Sequence, residues 1–208
     1  MMRKIFLRVR ASLYFHLVRK CFSYHPEILS NNIYLTFDDG PDPDITDFIL
    51  DELRKYCAKA TFFCCGNNMI KNKPLLDRII SEGHTVANHT FSHINGLRTP
   101  VNDYVEDVRR VDDVCQTVLF RPPWGQMNIR EYAKLRDKKI VLWDLESGDV
   151  TKDFNKDALL AEWKEKVKPG SVILFHFSAE HAERTKDLLP AFLGLFSQQG
   201  YIFTKING

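Results

Sequence analysis

A chain of 208 residues with 44% hydrophobic side chains is long enough for one well-buried core and short for two domains. Its 29 Lys and Arg against 27 Asp and Glu leave a formal charge of +2, without the basic excess of a nucleic-acid binder, so no nucleic-acid partner is expected. The five cysteines (Cys21, Cys57, Cys64, Cys65, Cys115) are odd in number and lack CxxC spacing. This argues against a disulfide scaffold or a thiolate zinc site and for free, mostly buried thiols in a reducing compartment.

Residues 1–30 read as a basic, helical N-terminal segment: Arg3, Lys4, Arg8, Arg10, Arg19 and Lys20 all precede the first acid, Glu27. The longest charge-free run, 11–18, contains His16. It lacks the unbroken apolar core of a secretory signal peptide and is too short to span a bilayer. Two roles fit, packing on the domain surface or peripheral contact with an anionic membrane, although the basic residues scatter around the helical wheel. The expected location is cytoplasmic or peripheral at the membrane.

From residue 31 to 208 one domain is expected. Short runs rich in Ile, Val, Phe and Tyr at 33–37, 60–64, 85–87, 118–120, 139–143, 172–175 and 201–204 predict seven strands. Amphipathic patterns at 45–56, 74–82, 101–115, 128–137, 156–167 and 182–198 predict helices between them, with Gly83 and Pro169-Gly170 as stop signals. Alternation of strand and helix implies a mostly parallel α/β sheet with right-handed crossovers, and seven units approach a barrel.

The ionisable residues then gather at the carboxyl ends of five strands. Asp38 and Asp39 follow the first, His89 and His93 the third, Arg121 the fourth, Asp144 to Asp149 the fifth and His176 the sixth. In a β/α barrel those ends share the face that carries the active site. Adjacent carboxylates repel unless a cation neutralises one of them, though Asp-Asp-Gly is also an ordinary turn sequence. Histidines spaced i, i+4 place both imidazoles on one face of a helical turn, able to bind one metal or simply to face solvent. Two His and one Asp leave coordination positions open, as in a catalytic site. That ligand count also suits a non-haem iron oxygenase; the second Asp and the distant His176 favour hydrolysis, which needs a base and an acid. His16, His25, His84 and His181 read as structural or solvent-facing, and Cys64 and Cys65 as buried thiols.

Thr36-Phe-Asp-Asp-Gly-Pro41, His89-Thr-Phe-Ser-His93, Arg121-Pro-Pro-Trp-Gly125 and Ile173-Leu-Phe-His176 resemble, in order and spacing, the motifs of the polysaccharide deacetylase family, the NodB-like carbohydrate esterases. Lys59-Ala-Thr-Phe-Phe63 and Glu82-Gly-His84 resemble its linking segments, and the likeness covers residues 31 to 208. The resemblance implies a distorted (β/α)7 barrel, NodB-like, and one divalent metal ion, Zn before Co, Ni or Mn. It implies Asp39, His89 and His93 as metal ligands, Asp38 as general base and His176 as general acid. Arg121 would orient the base, with Asp149 tethering Arg121, and a backbone N–H near Trp124 would help hold the oxyanion.

At the fifth strand the family's Asp-x-x-Asp-Trp pattern is replaced by Glu146-Ser-Gly-Asp149-Val150, so the usual Trp wall is missing. Trp124 or Trp143 could supply an aromatic wall and Leu174 a contact for the acyl methyl. The implied substrate is an acetylated carbohydrate: a peptidoglycan or chitin-type N-acetyl sugar or O-acetylated xylan; the alternative is a lipid-linked amino sugar that is deformylated or deacetylated. A carbohydrate-binding protein that keeps the fold without turnover is the non-enzyme alternative; the intact Asp38 argues against it.

Overall fold

The computed structural model describes Pro26, residues 31–151 and residues 155–208. The basic N-terminal segment, with its expected helix and membrane contact, lies outside the described residues apart from Pro26. In chain order the strands are β1 (Asn32–Asp39), β2 (Thr61–Cys64), β3 (Thr85–Asn88), β4 (Leu119–Phe120), β5 (Lys139–Ile140), β6 (Leu145–Glu146), β7 (Val172–His176) and β8 (Ile202–Thr204). The helices are α1 (Thr46–Lys55), α2 (Gly66–Lys71), α3 (Lys73–Ser81), α4 (Val101–Arg110), α5 (Ile129–Lys134), α6 (Lys156–Lys166) and α7 (Ala182–Gln198).

All the pairings are parallel, in the order β5-β4-β3-β2-β1-β7-β6, with β8 against the first residues of β1. The two ends of that order are consecutive in sequence. Val141 N–H donates to the Phe120 carbonyl, and three residues later Asp144 N–H donates to that of Val172. The segment from β5 to β6 thus leaves one edge of the curled sheet and joins the other. One strand is expected over 139–143; in the structure the strand ends at Ile140, residues 141–143 cross between the two edges, and a second strand, 145–146, lies beyond the expected range.

Strand alternation sorts the side chains to two faces of the sheet, and three apolar clusters result among the described residues, one of them built by Phe120 and Ile140 with Tyr104, Val108 and Leu135. Ile33, Leu35 and Phe37 of β1 point outward, with Phe62, Ile173 and Phe175, into a layer completed by Leu50, Leu53, Phe192 and Phe196 of the helices. Tyr34, Phe63, Ala87, Leu119, Val141, Val172 and Ile206 point inward and fill the barrel. Above that plug the inward positions become polar: Thr36 and Arg121 first, then Asp38 and His176, which are register partners on β1 and β7. An apolar floor under a polar rim follows from the sequence of β1, Tyr-Leu-Thr-Phe-Asp.

The helices differ from expectation in two places. α2 falls where no helix was expected, after Cys65. The helix expected over 101–115 ends at Arg110 and continues as a 3-10 turn, Val111–Asp113. α5 starts on a capping box: the Asn128 side chain accepts from the backbone N–H of Arg130 and Glu131, and Glu131 accepts from that of Asn128. Among the described residues no helix is long and apolar enough to cross a membrane.

Candidate active site

Adjacent strand residues face opposite sides of a sheet, so Asp38 inward would send Asp39 outward. The backbone at Asp39 instead adopts φ 88, a left-handed conformation rare for a non-glycine residue. It is held by the Asn68 side-chain amide, which donates to the Asp39 carbonyl at 2.7 Å. That turn breaks the alternation, and both carboxylates reach the rim.

The Asp39 carboxylate lies 3.4 Å from His89 Nε2 and 3.1 Å from His93 Nε2. The three candidate ligand atoms all lie within 4.8 Å of one another. His89 and His93 do not share a helical turn, contrary to expectation: the chain after β3 is irregular, with Thr90 at φ 65 and His93 at φ 52. Asp107 of α4 fixes this loop by accepting from the backbone N–H groups of Phe91 and Ser92.

His89 Nδ1 lies 2.8 Å from the carbonyl oxygen of Arg121, which can only accept, so Nδ1 carries the proton. In the neutral ring Nε2 then presents a lone pair toward a carboxylate oxygen, an arrangement that a cation between them satisfies. When the imidazoles are protonated instead, burial raises the Asp39 carboxyl, but hydrogen bonds from His89 and His93, with the charges of His89 and His176, outweigh it and hold the group far below the usual carboxylate range. An ionised carboxylate and two imidazole nitrogens fit a divalent metal with open positions.

Asp38 stands beside this trio. One carboxylate oxygen accepts from Arg121 Nη1 at 2.7 Å and the other lies 3.9 Å from His89 Nε2. Arg121 is wholly buried and donates also to the Val141 carbonyl and the Thr36 hydroxyl, with its guanidinium 4.0 Å above the Phe63 ring. Burial lowers its pKa from the ordinary arginine value, against the opposing charge of Asp38.

Asp149 does not tether Arg121. It serves His176: one oxygen lies 3.1 Å from His176 Nδ1, and the other accepts from the His176 backbone N–H at 2.6 Å. Thr185 of α7 also donates to it, at 3.2 Å. Arg121 is held instead by Thr36 and Asp38 of β1 and by Val141, whereas Asp149 follows β6, with β7 between β6 and β1. Burial lowers the His176 pKa, but Asp149, then the charges of Asp38 and Asp39, outweigh it and push the ring up to about 9.

Asp38, Asp39, His89, His93 and His176 line one cavity of about 690 Å³, while Arg121 and Asp149 stand behind its wall. Trp124, 54% exposed and at φ 55, sets its ring 4.6 Å from that of His93, the two planes tilted by 56°. Trp143 and Leu174 also line the cavity, and Val150 stands where the sequence lacks the family Trp. His84 sits elsewhere, accepting from the Ala60 backbone N–H. Cys64 and Cys65 are buried, and burial pushes both thiols well up; Cys57 is exposed.

Sequence reasoning missed Gln126, Glu180 and His181 as lining residues. The ring of His181 lies 5.0 Å from that of His176. The available signal was position, since residues 178–181 follow directly from the end of β7.

Comparison with known proteins agrees with this arrangement. A peptidoglycan-N-acetylglucosamine deacetylase of Bacillus cereus is 31% identical over 183 residues, covering 84% of this chain and 66% of the relative. Peptidoglycan-N-acetylmuramic acid deacetylase PdaC of Bacillus subtilis is 32% identical over 183 residues, covering 84% of this chain but 38% of its own length. The chain thus spans less than two thirds of either relative. The crystal structure of the Bc1960 peptidoglycan N-acetylglucosamine deacetylase superposes with a TM-score of 0.77 at 28% identity, covering 88% of this chain and 90% of that one. The family model for polysaccharide deacetylases matches residues 28–140, the stretch that brings Asp38, Asp39, His89, His93 and Arg121 together, and the chain belongs to that family.

Proposed function

We propose that this protein is a metal-dependent hydrolase that removes acetyl groups from an N-acetylated sugar. The observation that carries the reading is the separation of roles within one cavity: Asp39, His89 and His93 converge as ligands, while Asp38 stays outside the trio with its own cation, Arg121. A binding protein needs the first set at most. The relatives' activities on N-acetylated peptidoglycan sugars support the same class of substrate.

A divalent ion at the trio supplies Lewis-acid polarisation of the acyl carbonyl and acidifies water, and the two nitrogen and one oxygen donors suit Zn²⁺. The rest of the chemistry belongs to the side chains. Asp38, fixed by Arg121, takes the proton from the attacking water. His176, its Nδ1 turned to Asp149, presents Nε2 to the cavity and delivers a proton to the leaving amine nitrogen. Arg121 and Asp149 are positioning residues. Trp124, Trp143 and Leu174 supply the apolar surface against which the sugar and the acetyl methyl pack.

The test is acetate release from chitooligosaccharides by protein stripped with a chelator and reconstituted with Zn²⁺, Co²⁺, Ni²⁺ or Mn²⁺. Turnover restored by metal, in proportion to bound ion, is expected. Oligosaccharide binding with no acetate released at full metal occupancy would establish the non-enzyme alternative.

A further inference from the structure

Two carboxylates of the cavity have no part in the chemistry above. Glu146 lies on β6 in register with Leu174, so it shares the inward face of the sheet, and the Trp143 side chain hydrogen-bonds to it. Glu180 belongs to the 3-10 turn Ala179–His181 that follows β7. The sheet order sets both on the β7 and β6 side of β1, whereas His89 and His93 follow β3 on the other side. They line the same cavity as the candidate metal ligands without belonging to that cluster.

On that side the cation among the lining residues is His176, which is paired with Asp149. Among the described residues no Lys or Arg lines the cavity, and the nearby guanidinium of Arg121 is wholly buried and committed to Asp38. Asp149 is matched by His176. Glu146 and Glu180 are both exposed lining residues, and Glu146 also meets the indole of Trp143 and the charge of His176.

We propose that Glu146 and Glu180 make this site select its substrate by charge. The deacetylase reading above is its premise. An N-acetylhexosamine chain that is uncharged, or that carries free amines, is accepted. A chain with a carboxylate on the sugar at the reacting acetamide, as in the lactyl ether of muramic acid, is rejected. Acceptance and rejection have one source: carboxylates accept from hydroxyl or ammonium groups and repel another carboxylate, which can offer neither hydrogen nor positive charge.

The test compares kcat/KM of the Zn²⁺-loaded full chain on two glycans that differ only in charge. One is a peptide-free muramic-acid-containing glycan with its lactyl group as the free carboxylate; the other is the same glycan as the methyl ester. An N-acetylchitooligosaccharide serves as the uncharged reference. Wild type is expected to prefer the ester by about tenfold at low salt, with the gap narrowing as salt rises. Glu146→Gln and Glu180→Gln should each narrow the ester-to-acid ratio, and the double variant should narrow it most. Equal rates on acid and ester in wild type, or an unchanged ratio in both folded variants, overturn the charge selection while leaving the deacetylase intact. No acetate from any of the three glycans, with metal bound, overturns the deacetylase reading and this proposal together.

Discussion

Asp38 and Asp39 are chemically identical neighbours whose surroundings give them different work. Asp39 is turned by its left-handed backbone onto two imidazole nitrogens, while Asp38 keeps the strand's inward direction and meets Arg121. Asp39→Asn should therefore lower both metal content and acetate release. Asp38→Asn should leave metal content near wild type and lower turnover by about 10²-fold to 10⁴-fold, the worth of a positioned base. Metal analysis beside kcat separates the two, and equal metal loss in both variants contradicts the division. His176 depends on its partner in a way that fixes the sign of a pH effect. Burial disfavours its protonated form, and Asp149 more than restores it, so the ring is pushed up to about 9. The protonated form is the acid, so activity falls as pH rises through that value, or through a lower one once a metal offsets the charge of Asp39. Asp149→Asn removes the largest opposing influence. The alkaline limb of the kcat/KM profile should move to lower pH, and a limb that stays in place would assign the acid to another group.

Elements show where sequence patterns carry information and where they stop. β1 and β7 were legible because an alternating or continuous apolar run ends in an ionisable residue, and register does the rest by pairing Asp38 with His176. The β5 to β6 segment was not, because an apolar run is the same whether its residues pair with one neighbour or cross between two edges. The i, i+4 histidine spacing was read correctly as convergence and wrongly as a helical turn; the left-handed residues Thr90 and His93 achieve the convergence in a loop, which spacing alone does not distinguish. Asp149 and His176 are 27 residues apart, and no local rule pairs them. Arg121 is the clearest product of assembly, since one side chain after β4 ties β1 and the β5 continuation together inside the barrel. Arg121→Met keeps the length but leaves Asp38 unpaired and buried, and should cost about 3–5 kcal/mol of stability. Denaturant unfolding at constant m-value measures it. Adding Asp38→Asn to that variant should recover part of the loss; an equal loss in single and double variants would place the cost in packing instead.

At the scale of the molecule, the candidate site exists only when the sheet has formed and curled. Asp39, His89 and His93 come from β1 and from the loop after β3, with β2 between the two strands, and His176 and Asp149 are supplied from the far side of β1. An unfolded chain holds none of these separations, so a metal that occupies the trio binds the folded state in preference and must stabilise it by linkage. At a free concentration about one hundred times its dissociation constant, a one-site ligand contributes about 2.7 kcal/mol. For a domain of this size each kcal/mol moves the melting temperature by about 2–4 °C. Zn²⁺ added to chelator-treated protein should raise the transition by roughly 5–10 °C on that basis, less whatever the unfolded chain's cysteines and histidines bind. The specificity lies in the variants. His89→Ala and His93→Ala should each abolish most of the shift, whereas His84→Ala, on the histidine that accepts from Ala60 outside the cavity, should shift as wild type does from its own lower baseline. A full shift in the His89 and His93 variants would mean that the stabilising ion sits elsewhere, and the three-ligand site would have to be abandoned.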